Sequence, residues 1–199
     1  MKKGRLIVIS GPSGVGKGTV VKALMERDPK VRLSVSATTR DIRPNEIDGV
    51  HYYFITHERF EQMIAEDRFL EHAQYVGNRY GTPEAPVNSM LEEGLDVILE
   101  IEVQGGLQVM RRRPDAISIF IAAPSFEVLA SRLRGRGDTD EEKVLMRLQQ
   151  ARMEYLVARQ YQYIVVNDRL EDAVSDVQAI LRAENLKTEH QEYLLKEDD

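Results

Sequence analysis

A chain of 199 residues, 42% hydrophobic and 30% charged, is long enough for one well-packed domain with lobes inserted into it, and two separate domains are not expected. Its 33 acidic residues against 27 basic ones give a formal charge of -6, which argues against a general nucleic-acid binder, since such a protein needs a basic face. Zero cysteines exclude disulfides, thiolate nucleophiles and cysteine-based zinc clusters together.

Met1 to Arg5 starts like a secretory leader, but the apolar run Leu6-Ile-Val-Ile9 passes straight into a glycine loop. No leader core forms, and the cytoplasm is the expected location. Nothing approaches the roughly 18 apolar residues of a membrane span, so no membrane partner is expected. Leu6 to Ile9 is apolar at every position and predicts the central strand of a parallel sheet, covered on both faces. The loop reads Gly11-Pro-Ser-Gly-Val-Gly-Lys-Gly-Thr19, and the helix after it is stopped near Arg27 by Asp28-Pro29.

Backbone N–H groups converge on a phosphate where the chain tolerates positive φ and lacks a Cβ, which Gly11, Gly14 and Gly16 provide. The helix start adds unpaired N–H groups and its positive dipole end, and Lys17 can reach the outer phosphates of a triphosphate. Gly11, Pro12, Ser13, Gly14, Val15, Gly16, Lys17, Gly18 and Thr19 therefore predict an ATP or GTP site. Gly18 stands where this motif normally places a hydroxyl on magnesium. Either Thr19 supplies the oxygen, directly or through water, or Mg2+ keeps its waters and is held mainly by the nucleotide.

A second short strand is expected from Val31 to Val35. Residues 36–54 are polar, carry Arg40 and Arg43, and end in the aromatic strand Tyr52-Tyr-Phe54; loops this polar usually carry function. His57 to Glu66 has helical spacing at Phe60, Met63 and Ile64, Phe69 to Tyr75 alternates like a strand, and Gly77-Asn78 marks a turn. Thr82 before Pro83 predicts an N-cap with proline at the first helical position. Asp96 to Val103 reads as a core strand whose period of two puts Glu100 and Glu102 on one face at its C-terminal end. Ligands of open parallel sheets sit outside such ends, so two carboxylates there are poorly explained by packing. Arg111-Arg-Arg113 before Pro114 reads as a solvated helix C-terminus.

Ile117 to Ala122 is a further core strand, and Ser125 caps a helix ending in Arg132-Leu-Arg-Gly-Arg136-Gly137. Thr139-Asp-Glu-Glu142 predicts a capping box for a long helix with Val144, Leu145, Leu148 and Leu156 inside. Tyr163 to Val166 is the last strand, followed by Asn167-Asp168 and a helix from 170 to about 195, where Leu186 and Leu194 offer a stripe to a partner subunit and hence a homo-oligomer. Arg132 and Arg136 share a helical face, with Arg147 on the facing helix. Arginines around a glycine hinge suit a mobile lid that spreads positive charge over a transferring phosphoryl group. With Arg40 and Arg43 as a second anion site, the chain would bring two phosphates together. Such transfer needs positioning and charge neutralisation rather than a general base, because an acceptor phosphate is mostly dianionic above its second pKa of about 6.

Four motifs complete the pattern: Ser36-x-x-x-Arg40-x-x-Arg43-x-x-Glu46-x-x-Gly49-x-x-Tyr52-x-Phe54, Gly77-Asn-x-Tyr80-Gly81-Thr82, the run Arg132 to Gly137, and Val166-Asn167-Asp168. With the glycine loop they resemble the guanylate kinases over nearly the whole chain. The resemblance implies an α/β fold of the P-loop three-layer type: a central parallel sheet, an inserted lobe at 36–82 that binds the nucleoside monophosphate, and an arginine-rich lid at about 126–152. The core would then be 1–35, 83–125 and 153–199. It further implies transfer of the γ-phosphoryl group of ATP to GMP or dGMP, with Mg2+ accompanying ATP. The acceptor phosphate would be held by Arg40, Arg43, Tyr52 and Tyr80, and the guanine read by Ser36, Glu71, Thr82 and Glu102. Lys17, Arg132, Arg136 and Arg147 would act on the transferring phosphates, and Asn167 would lie near the adenine.

Guanine sets an acceptor at O6 beside donors at N1 and N2, so a hydroxyl donor and a carboxylate acceptor complement it while adenine meets both wrongly. Glu102 stands where the family often has Asp, and Gly18 where some members have Ser, so the base contact at 102 and the metal ligands depart from the pattern. The rival readings are a non-catalytic guanylate-kinase-like binding module, which the intact loop disfavours, and another nucleoside monophosphate kinase, which Glu71 and Thr82 disfavour.

Overall fold

The computed structural model of the chain describes residues 3–75, 77–135, 140–188 and 191. In chain order the elements are β1 (Leu6–Ser10), α1 (Lys17–Arg27), β2 (Val31–Leu33), β3 (Ala37–Thr38), β4 (Tyr53–Phe54), α2 (His57–Ala65), β5 (Phe69–Tyr75) and β6 (Asn78–Pro83). There follow α3 (Glu84–Glu92), β7 (Asp96–Glu100), α4 (Val103–Arg112), β8 (Ile117–Ala122), α5 (Phe126–Arg134), α6 (Glu141–Val157), β9 (Tyr163–Val166) and α7 (Leu170–Asn185).

The parallel sheet runs β2-β7-β1-β8-β9, so the strand before the glycine loop is central, as its unbroken apolar run predicts. Alternate residues of β1 enter two different cores. Ile7 and Ile9 pack with Val20 and Leu24 of α1 and Val174 and Val177 of α7, while Leu6 and Val8 pack with Val87 and Leu91 of α3 and Val109 of α4. Each such side chain, fully buried, contributes about 1.5–3 kcal/mol, so helices on both faces hold the sheet end that carries the loop.

The second sheet, β4-β3-β6-β5, is small and mixed, with Phe60 of α2 stacked on Phe69 of β5 at 4.4 Å. It is fastened to α4 at two points. Gln108 and the His72 backbone exchange hydrogen bonds of 3.2 and 3.1 Å. Arg112 reaches both Asp67, at the turn before β5, and Glu84, the first residue of α3.

Several sequence expectations are corrected. Thr82 does not cap α3: it pairs with Glu71 in the β5–β6 ladder, which runs on through Pro83, and the N-cap is Pro83 without a side-chain cap. Glu102 does not extend a strand face beyond Glu100, because β7 ends there and Glu102 is already the N-cap of α4. At the C-terminus of α4, Arg111 and Arg112 are exposed as expected, while Arg112 also pairs with Asp67 and Glu84 and the half-buried Arg113 with Asp115. The N-cap of α6 is Asp140, which accepts from Glu142 N at 3.1 Å.

Within α6, Val144 and Ala151 face inward, whereas Leu145 and Leu156 are 58% and 69% exposed, because their row lies about 100° round the helix from Val144. The second strand stops at Leu33, and α7 stops at Asn185. The buried apolar residues of α7, Ala173, Val174, Val177 and Leu181, belong to the chain's own core, and Leu186 is exposed. Arg136, Thr139 and Leu194 lie outside the described residues.

Candidate active site

The glycine loop takes the shape its composition demands. Gly11, Gly14 and Gly16 have φ of 146°, 91° and 91°, and Gly16 is the left-handed N-cap of α1, offering no side chain to the first-turn N–H groups. Those groups and the helix dipole then favour an anion. Lys17 Nζ donates to Gly11 O at 2.6 Å and Pro12 O at 3.1 Å, folding the ammonium over the mouth of the loop. The loop is also tied from behind: the buried Asn167 gives its Nδ2 to Val15 O at 2.7 Å, and lies so near Gly16 that a Cβ there would sit 2.6 Å from it. The Asn167 amide nitrogen is thus bonded to the loop backbone.

Beside the helix start lies a carboxylate whose role sequence reasoning left open. A Cβ on Gly18 would meet the two Glu100 oxygens at 3.4 and 3.5 Å. Burial pushes the Glu100 carboxyl up, and the Lys17 charge pulls it back toward the ionised form. The signal was present in the sequence, a strand-ending Glu beside a motif that lacks its hydroxyl. Thr19 is exposed on the same helix turn.

The second cluster sits on the small sheet. Arg40 lies over the rings of Tyr52 and Phe54 at 5.4 and 5.6 Å, and Tyr52 meets Tyr80 edge-on at 6.1 Å. Burial raises the Tyr52 pKa, so its hydroxyl is a donor at neutral pH. Arg43 is exposed beside this group. Two residues further along β6, hence on the same face and about 7 Å away, is the buried Thr82, whose Oγ1 donates to Glu71 Oε1 at 2.7 Å. Burial pushes the Glu71 carboxyl up, and the hydrogen bond from Thr82 opposes that shift. A cationic and aromatic cluster and a buried carboxylate–hydroxyl pair thus lie along one face of β6.

The remaining expected residues are placed as follows. Ser36 precedes β3 and its carbonyl accepts from Tyr53 N at 2.9 Å. Glu102 is exposed at the start of α4, within electrostatic reach of the buried Glu154 of α6. Arg132 donates to Asn167 O at 2.8 Å, linking α5 to the segment that ties the loop. Arg147 is half-buried on α6. Gly105 was not anticipated. The backbone of α4 approaches so closely that a Cβ there would lie 2.7 Å from Glu71 Oε2, so this glycine makes room for the carboxylate.

A parallel sheet whose central strand delivers a triphosphate-type loop, with an arginine and tyrosine cluster on a second, smaller sheet, has the architecture of the P-loop phosphotransferases. The guanylate kinase family model matches residues 3–184. The chain is 49% identical to the guanylate kinase of Carboxydothermus hydrogenoformans, covering 97% of this chain and 95% of that relative. It is 50% identical to that of Clostridium perfringens, with 99% and 93% covered. The crystal structure of guanylate kinase from Anaplasma phagocytophilum superposes with a TM-score of 0.73 at 33% identity, over 94% of this chain and 89% of that one. The chain belongs to the guanylate kinase family.

Proposed function

We propose that this chain transfers the γ-phosphoryl group of ATP to GMP, and to dGMP, giving ADP and the nucleoside diphosphate. The observation that carries the reading is the buried Glu71–Thr82 pair set one strand step from the arginine and tyrosine cluster. A carboxylate at that depth complements the N1 and N2 donors of guanine and repels the acceptor edge of adenine. The intact loop disfavours a non-catalytic binding module.

In this reading the loop N–H groups and Lys17 hold the β and γ phosphates, and Arg40, Arg43, Tyr52 and Tyr80 hold the acceptor phosphate. Ser36 and Glu102 border the base. An acceptor oxygen forms the new bond to the γ phosphorus as the bond to the ADP oxygen breaks, in line and without an enzyme-bound phosphate. Arg132, Arg136 and Arg147 neutralise the charge in transit, and lid closure removes water.

The residues beside Gly18 fit a magnesium ion carried in on the nucleotide. Hard oxygen donors are what Mg2+ takes, and the Glu100 carboxylate fronts the space where a side chain at 18 would lie. Glu100 and the Thr19 hydroxyl would hold it, directly or through water. Bound there, the ion would supply neutralisation of phosphate charge. The cytoplasm and a homo-oligomer through the C-terminal helix complete the reading. Calorimetry tests it: GMP should bind the folded protein and AMP should not at equal concentration, and AMP binding as tightly as GMP would refute it.

A further inference from the structure

One carboxylate beside the small sheet, Glu46, has no part in the reaction above. The turn Arg43-Pro44-Asn45-Glu46 has Pro44 to fix its second φ, Asn45 in the left-handed region at φ 72°, and a closing bond from Glu46 N to Arg43 O of 3.1 Å. That geometry folds the Glu46 side chain back over its own turn, where Oε2 accepts from Arg43 N at 2.8 Å. The same carboxylate takes Arg40 end-on: Nη1 at 2.9 Å to Oε2 and Nη2 at 2.8 Å to Oε1. The second Nη1 proton goes to Asp41 O at 2.7 Å. Of the five guanidinium protons, those left are on Nε and Nη2, and Tyr80 lies within hydrogen-bonding range of the group. They form the side-on edge of the guanidinium, which is itself a two-pronged donor.

We propose that Glu46 is a positioning residue of the monophosphate pocket: by holding the end-on edge of Arg40 against the Tyr52 and Phe54 rings, it presents the side-on edge to the acceptor phosphate. The competing idea is that Glu46 is a counter-ion the phosphate must displace. The three hydrogen bonds on its carboxylate argue otherwise, since displacement would strand both a backbone N–H and an arginine edge. Arg40 and Arg43 hold the Glu46 carboxyl down to about 2, so it stays ionised wherever the acceptor phosphate is a dianion. Orientation also explains why one of two arginines is already paired: a fixed planar donor spends less rotamer entropy on binding than a free one.

This inference rests on the functional reading above, and the experiment separates the two. Calorimetric titrations of GMP, guanosine and ATP are run on the native chain and on Glu46→Gln, with Glu46→Asp as the variant that keeps the charge and circular dichroism to verify folding. Positioning predicts that Glu46→Gln weakens GMP by about tenfold or more, leaves guanosine and ATP unchanged, and is partly rescued in Glu46→Asp. Glu46→Gln binding GMP as well as the native chain, or better, overturns the proposal and favours displacement. Weakening of guanosine and GMP alike also overturns it, marking a general structural defect. A native chain that binds ATP but no GMP overturns the functional reading and this one with it.

Discussion

Thr82 Oγ1 donates its proton to Glu71 Oε1 at 2.7 Å, between residues that sit directly opposite each other on β5 and β6. The threonine expected to cap a helix steadies the carboxylate opposite it instead. Because both side chains are buried, their charge state matters more than that of any surface pair.

The first prediction concerns Glu71→Gln. Burial raises the native pKa of Glu71 above its unfolded value, so between the two the native state holds a proton that the unfolded chain has released. Stability from this group therefore falls as pH rises through that window and stays lower above it. Glu71→Gln should melt at or above the native temperature at pH 8, with the difference shrinking toward pH 4. Its KM for GMP should rise by about 10- to 150-fold, the value of a hydrogen bond to a charged group. In the native chain GMP affinity should fall on acidification through the raised pKa, and Glu71→Gln should lack that step.

Gly105→Ala tests the same contact from the other side. The new Cβ would lie 2.7 Å from Glu71 Oε2, so the carboxylate must leave its place against Thr82. The KM for GMP should rise about tenfold or more while the KM for ATP is unchanged. Steady-state kinetics with each substrate varied in turn checks this.

Lys17→Ala removes the ammonium over the loop mouth without touching the sheet. Turnover should drop by at least about 100-fold with the circular dichroism spectrum preserved. Undiminished turnover would remove residues 11–19 from the mechanism.

Asn167→Ala should act on the loop and not on the base of the monophosphate. Losing its buried bond to Val15 O costs about 1–3 kcal/mol. Scanning calorimetry should show a melting temperature lower by about 2–4 °C per kcal/mol, and ATP affinity should weaken with GMP affinity unchanged.

Much of this was legible in the residues. An unbroken apolar run into three glycines and a lysine specified β1, its central position and the loop, because each level of the sequence agrees there. The misreadings share one cause: local signals that long-range pairing outweighed. Thr82-Pro83 looks like a helix start, yet the ladder to Glu71 and Phe69 carries the strand through Pro83. Glu100 and Glu102 alternate like a strand, yet the chain turns into α4 between them. Which apolar row of α6 faces inward depends on how the helix lies on β8 and α5, and no periodicity decides between adjacent rows. Gly105 was invisible because its role is set by Glu71, far away in sequence.

The most direct test is ADP release, coupled to an optical readout, with ATP and either GMP or AMP as acceptor. The account predicts that kcat/KM for GMP exceeds that for AMP by at least about 1000-fold, because adenine turns an acceptor at N1 toward the buried Glu71 carboxylate where guanine offers donors. Equal or faster turnover of AMP would contradict it.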